Sequence, residues 1–130
     1  RLGLFRSFIK LIIMKGSCHC GKVEFLIKVS EGDFFKDIYR CDCSLCIKKG
    51  IIMKPLPKEK FALIQGGEFL NSYKWNKKIA EHFFCNICGV YTHHQRRRDA
   101  TQYSVNLGCL EAIEIPEEKE IQWIDGSSHS

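Results

Sequence analysis

Seven of the eight cysteines in this chain fall into three tight clusters, and sulfur at such spacing is the chemistry of metal binding. The clusters are Cys18-His19-Cys20-Gly21, Cys41-Asp42-Cys43-Ser44-Leu45-Cys46 and Cys85-Asn86-Ile87-Cys88-Gly89, with Cys109 standing alone. An even number of cysteines suggests a disulfide framework, but such scaffolds are usually shorter, secreted chains. Cysteines two residues apart are also poorly placed to bridge one another. A metal needs the opposite, neighbouring sulfurs converging at about 2.3 Å on one ion.

The Cys85–Cys88 turn is the sharpest signal. Two residues between sulfurs let a tight turn present both, and the following Gly89 allows a left-handed backbone. One such turn supplies only two ligands, so a second pair must come from elsewhere, and Cys18 with Cys20 is the natural partner. A metal closing so long a loop contributes roughly 10 kcal/mol or more to folding. The triplet Cys41, Cys43 and Cys46 remains. Three protein ligands leave a tetrahedral ion with one open position, the pattern of a reactive site. Water, a thiol or a carbonyl oxygen can fill it. Spacing alone leaves three alternatives open: closure of the triplet by His93, His94 or Asp42, another sorting of the seven sulfurs, and an iron–sulfur cluster. Zinc is the expected metal. Cys109 reads as a small buried apolar residue.

Strands are expected to carry these clusters. From Lys22 the residues alternate, with Val23, Phe25, Ile27 and Val29 on one face and Lys22, Glu24 and Lys28 on the other. Glu31-Gly32-Asp33 signals a turn, with a strand over Phe35–Tyr39 leading into Cys41. Ser44 is placed to cap a helical turn that Gly50 ends. Pro55 and Pro57 are expected to break regular structure. Further strands are expected at Phe61–Gln65, Phe69–Trp75, Ile79–Phe84, Val90–Gln95, Gln102–Leu107 and Glu120–Trp123. Gly66-Gly67 is expected to join two of them tightly. Many short, closely spaced strands predict an all-β fold with short helical turns. The polar tail Asp125–Ser130 is expected at the surface.

With 130 residues, the chain has the length of one domain. Its formal charge of +5 overstates its basicity. Seven thiolates subtract seven charges and two divalent ions restore four, leaving +2 for a chain whose lysines are scattered. That argues against nucleic acid as a partner. No apolar run approaches the roughly 20 residues of a membrane span. Thiolate ligands point to a reducing compartment, so the cytoplasm is the expected location. Arg1–Ile13 mixes Arg1, Arg6 and Lys10 with apolar residues and lacks the unbroken apolar stretch of a secretory signal. Residues 1–13 therefore read as a non-native or disordered extension, with an extra edge strand or an amphipathic arm as the alternative, and Met14 as the expected start of a single zinc domain over residues 14–130.

These clusters, in this order, resemble the glutathione-dependent formaldehyde-activating family, which includes the centromere protein V type. The resemblance runs through Gly16-Ser17-Cys18-His19-Cys20-Gly21-Lys22-Val23-Glu24-Phe25 and the Cys41–Cys46 cluster. It continues through His82-Phe83-Phe84-Cys85-Asn86-Ile87-Cys88-Gly89-Val90-Tyr91-Thr92-His93-His94-Gln95-Arg96-Arg97, Cys109-Leu110-Glu111, and Asp125-Gly126 followed by His129. After Arg97 the chain departs, with Arg98-Asp99-Ala100-Thr101 where relatives tend to carry a Ser-Asn-Pro type turn. The resemblance implies a zinc-pinned β-tent fold, shared with zinc-containing methionine sulfoxide reductases. It assigns Cys18, Cys20, Cys85 and Cys88 to a structural zinc and Cys41, Cys43 and Cys46 to a second zinc near the substrate. It implies a carbon–sulfur lyase that condenses formaldehyde, or another small aldehyde, with glutathione into S-hydroxymethylglutathione. In that reaction Arg96 and Arg97 can grip the carboxylates of glutathione, and His93 or His94 can shuttle the alkoxide proton. In a strand the two histidines point to opposite faces, so one at most faces the site. Lys48 and Lys49 are weaker candidates. The alternative functions are a carrier of glutathione or thiol adducts without turnover, and a zinc-stapled interaction domain.

Overall fold

The alternation that begins at Lys22 becomes a strand with one buried face: Phe25, Ile27 and Val29 are buried, while Lys28 faces solvent. In the computed structural model, which describes residues 10–75 and 79–129, this strand lies in the middle of a three-stranded sheet. Its order is β1 (Leu11–Ser17), β2 (Glu24–Ser30), β5 (Phe61–Gln65). A second sheet has seven strands in the order β10 (Gln122–Ile124), β3 (Tyr39–Cys41), β4 (Met53–Pro57), β9 (Gln102–Asn106), β8 (Tyr91–Gln95), β7 (Glu81–Cys85), β6 (Leu70–Tyr73). Pairing is antiparallel except between β10 and β3, which run parallel. The main core gathers Phe25, Ile27 and Val29 of β2 with Leu56 and Val105 of the larger sheet and Leu107 just after it. Two smaller apolar clusters surround the cysteines, one with Val23 beside Cys18 and Cys85, the other with Tyr39, Met53 and Tyr91 beside Cys46. The chain is all-β apart from short helical turns, as expected.

Several local expectations need correction. Pro55 and Pro57 lie inside a strand. The Lys58 N–H donates to the Thr101 carbonyl at 3.1 Å, so by alternation the N–H groups of Lys54 and Leu56 face β9 as well. The prolines then direct their missing donors to the opposite edge, where β3 pairs with β4 only at Met53. No ladder bond is lost. The expected strand at Phe35–Tyr39 begins only at Tyr39, because residues 31–37 form turns closed by the Lys36 N–H on the Asp33 carbonyl at 3.1 Å. Gly66 does not close a hairpin. It carries the chain from the smaller sheet to the larger one at φ +91°, and a Cβ there would run into the Lys22 carbonyl. β1 crosses the boundary expected at Met14: Leu11, Ile12 and Ile13 pair with Ser30, Val29 and Lys28. Residues 1–9 lie outside the described residues.

Candidate functional site

Two strand connections bring the first four cysteines together. The β1–β2 connection carries Cys18 and Cys20, and the β7–β8 connection carries Cys85 and Cys88. The two are built alike. The Cys18 N–H donates to the Val23 carbonyl at 3.1 Å and the Cys85 N–H to the Val90 carbonyl at 3.0 Å, with Gly21 and Gly89 at positive φ inside each turn. All four sulfurs lie within 4.8 Å of one another. The Cys18–Cys20 and Cys20–Cys85 sulfur separations are 3.6 and 3.7 Å. A tetrahedron with metal–sulfur bonds of about 2.3 Å has edges of about 3.8 Å, so these residues fit an ion of that size. Backbone N–H groups already point at the sulfurs, from Val23 to Cys18 and from Ile87 to Cys85, each at 3.4 Å. Although burial pushes the Cys88 thiol up, the N–H groups of Val90 and Cys20 and two neighbouring sulfurs bring it down to about 6. Cys20 is pulled down by the Lys22 N–H, yet burial and the three other sulfurs drive it up to about 11. Four thiols crowded together cannot all ionise without a cation, and these four could hold one.

The second cluster rests on β3 and a short helix, α1 (Ser44–Lys49). Cys43, rather than the expected Ser44, is the N-cap: its Sγ accepts the Cys46 N–H at 3.3 Å. Gly50 ends the helix at φ 63°, its N–H returning to the Cys46 carbonyl. The sulfurs of Cys41, Cys43 and Cys46 lie within 4.8 Å of one another, and among the described residues no histidine or carboxylate joins them. The Cys46 thiol, against the effect of burial, holds Cys41 down to about 6, while Cys41 in turn raises Cys46. Asp42 is turned to another task. Its Oδ1 accepts the Gly126 and Ser127 N–H groups at 2.7 and 2.9 Å, clasping the end of the chain. The tail is thus only partly the surface segment expected. Gly126 is buried, and a Cβ on it would strike the Cys41 sulfur and the Cys43 side chain.

The three-sulfur cluster opens into a cavity of about 350 Å³. One wall carries Arg96, Arg97 and Arg98, another His82 and His94, and the tail supplies Asp125, Gly126 and Ser128. Trp75, Ile79 and Ile124 provide apolar lining. Arg96 is held in place, stacked with its guanidinium 5.2 Å from the centre of the Tyr39 ring and donating to Gln102 Oε1 at 2.7 Å. Arg97 and Arg98 are exposed. The departure from the family after Arg97 is a tight turn in which Asp99 Oδ1 accepts from the N–H and hydroxyl of Thr101.

The two adjacent histidines part company here. His93 is buried on the core face, stacked on Phe83 at 4.5 Å and packed against Phe61 and Tyr103. It does not line the cavity, and burial lowers its pKa to about 3. His94 lines the cavity. A β-bulge explains the company it keeps. In the β7–β8 register Phe83 faces His93 but Phe84 faces Tyr91, so Thr92 is an extra residue. The bulge puts Tyr91 on the same face as His94 despite their odd spacing, and aligns His82 opposite His94. The Tyr91 hydroxyl lies 2.6 Å from His94 Nδ1 and 3.0 Å from His82 Nδ1. Lys49 sits 3.6 Å above the Tyr91 ring, and burial lowers its own pKa to about 8. His82 and Tyr91 are site residues that strand patterning alone misses, since only the bulged register brings them to His94. Cys109 is buried, donates to the Tyr91 carbonyl at 3.5 Å and is pushed up to about 12 by burial.

Comparison with known proteins agrees with this geometry. The family described as "Glutathione-dependent formaldehyde-activating enzyme" matches residues 13–125. The crystal structure of a Rhodobacter sphaeroides protein, a structural genomics target, is 40% identical and aligns with a TM-score of 0.78, over 85% of this chain and 100% of that one. No helix among the described residues is long and apolar enough to cross a membrane. A family match over most of the chain and a 40% identical structure of the same fold place the chain in the glutathione-dependent formaldehyde-activating family.

Proposed function

We propose that this protein is a zinc-dependent carbon–sulfur lyase that joins glutathione to formaldehyde, or to another small aldehyde, giving S-hydroxymethylglutathione. The observation that carries this reading is the three-sulfur cluster with no fourth donor among the described residues, opening on a cavity with a wall of arginines. In the reaction the thiol sulfur bonds to the aldehyde carbon, the carbonyl π pair moves to oxygen, and one proton passes from sulfur to that oxygen. Nothing is oxidised or reduced. Cys18, Cys20, Cys85 and Cys88 would hold a structural zinc, and Cys41, Cys43 and Cys46 a second. A zinc ion bound at the second cluster supplies a positive charge that favours thiolate over thiol and a free position beside it.

The residues of the chain do the rest. A cavity of about 350 Å³ is at the lower end of the small-molecule range. Arg96 and Arg97, with Arg98 beside them, match the two carboxylates of glutathione through paired N–H donors. Arg96, braced by Tyr39 and Gln102, gives one fixed anchor; Arg97 is free to adapt. His94 is the histidine placed to move the alkoxide proton, and His93 holds the sheets together through its aromatic stack. Thiolate ligands suit a reducing compartment, so we place the protein in the cytoplasm.

Exchange spectroscopy of glutathione with formaldehyde tests the reading. The protein should accelerate exchange above the uncatalysed background, and Cys43→Ser should abolish the gain. A wild-type protein with no acceleration would refute the lyase. Calorimetric binding of glutathione under that outcome would mark a carrier instead, and no binding would leave an interaction domain.

A further inference from the structure

A proton must leave sulfur and another must reach oxygen in the proposed condensation, and the cavity wall holds two imidazoles joined by one hydroxyl. We propose that His82, Tyr91 and His94 form a neutral proton relay, in which His82 accepts the thiol proton and His94 delivers one to the nascent alkoxide. The relay rests on the lyase reading of the same cavity.

Valence at Tyr91 drives the argument. A tyrosine hydroxyl has one proton to donate, yet its oxygen lies within hydrogen-bond distance of Nδ1 on both rings. Two bare Nδ1 atoms would leave one lone pair facing the phenol oxygen with no proton between them. At least one imidazole must therefore carry Nδ1–H, and the Tyr91 proton can go only to a ring whose Nδ1 is bare. The distances assign them. The 2.6 Å contact with His94 suits an O–H donor, whereas 3.0 Å to His82 suits an N–H donor. So Tyr91 donates to His94, and His82 donates to Tyr91. His82 Nε2 is left with a lone pair, and His94 Nε2 with a proton.

Among the described residues neither Nε2 has a hydrogen-bond partner, and no fully buried side-chain nitrogen or oxygen there lacks one. Each Nε2 therefore retains solvent access, and both rings line the cavity. Burial, with the Lys49 ammonium above Tyr91, favours the neutral form of each imidazole. In one turnover His82 Nε2 takes the sulfur proton, its Nδ1 proton passes to the Tyr91 oxygen, the Tyr91 proton passes to His94 Nδ1, and the His94 Nε2 proton passes to the alkoxide. Four protons each move one place, and no ion is left behind. Exchange of the Nε2 sites with cavity water resets the tautomers.

Two measurements on the full-length metal-loaded protein test this. Long-range proton–nitrogen NMR should find two neutral cavity histidines at pH 7, one protonated on Nδ1 and the other on Nε2; two Nε2–H tautomers, or an imidazolium, would overturn the relay without any variant being made. Tyr91→Phe should lower kcat about 100-fold with KM for glutathione unchanged, and at saturating glutathione should straighten a curved dependence of rate on deuterium fraction. His82→Gln should act alike if Tyr91→Phe does not fold. An active wild type whose Tyr91→Phe variant keeps its kcat overturns the relay alone. An inactive wild type overturns the lyase reading and the relay with it.

Discussion

Cys85→Ser and Cys43→Ser each remove one sulfur from one cluster, yet they should destabilise the fold by different amounts. The four-sulfur cluster ties Cys20 to Cys85, 65 residues apart, and so joins the smaller sheet to the larger. Treating the bound metal as a cross-link, release of a loop that long returns about 4 kcal/mol of conformational freedom to the unfolded chain. Cys41 and Cys46 are only five residues apart, so the same relation gives about 2 kcal/mol there. Against a total stability of about 5–15 kcal/mol, the first loss approaches unfolding and the second does not. At about 3–5 °C per kcal/mol for a chain of this length, Cys85→Ser should melt about 6–10 °C below Cys43→Ser. Metal content by mass spectrometry, with urea unfolding followed by far-ultraviolet circular dichroism, reads both effects. Each variant should lose one metal. Equal losses of stability would show that the two clusters do not divide between pinning the fold and opening onto the cavity.

Three further outcomes follow from particular contacts. Gly126→Ala should release the second metal while leaving the first, because the new methyl group meets Cys41 and Cys43; Asp42→Ala should act in the same direction by about 1–3 kcal/mol, seen as faster amide exchange at Gly126 and Ser127. His93, with a folded pKa of about 3 against about 6.5 unfolded, binds its proton more tightly when the chain unfolds, so its contribution is complete above about pH 6.5 and is lost as pH falls toward 3. His93→Phe, which keeps the stack, should flatten that acid limb relative to wild type in urea titrations, and parallel curves would refute the assignment. Cys109 should resist iodoacetamide in the folded protein and react once urea unfolds the chain, as peptide mass spectrometry would show.

Much of this was written locally. The alternation of Phe25, Ile27 and Val29 marks β2 because one face of that strand meets the core, and the bounds expected for β5 match those observed. The sulfur clusters were legible because ligand spacing within a turn is itself local. What escaped depends on partners. The prolines of β4 are tolerated only because β3 pairs no further than Met53, which the residues of β4 alone do not reveal. The partnership of Tyr91 with His94 is hidden for the same reason. Strict alternation places them on opposite faces, and the extra residue Thr92 that reverses this is defined only against β7. Tail residues 125–128 look like solvated loop until Asp42, 84 positions earlier, is found holding the Gly126 amide.

That clasp also sets an order of assembly. A chain leaving the ribosome has every sulfur of the four-cysteine cluster once Cys88 emerges, but the cavity gains its last wall only when β10 pairs beside β3 and brings Gly126 down on Cys41. β9 is complete only at Asn106, 20 residues before Gly126, so at about 5–20 residues per second about 1–4 seconds remain in which three uncovered thiols face whatever ion or oxidant arrives first. A chain interrupted after β9 would hold the sulfurs of both clusters and yet lack the wall that encloses the second.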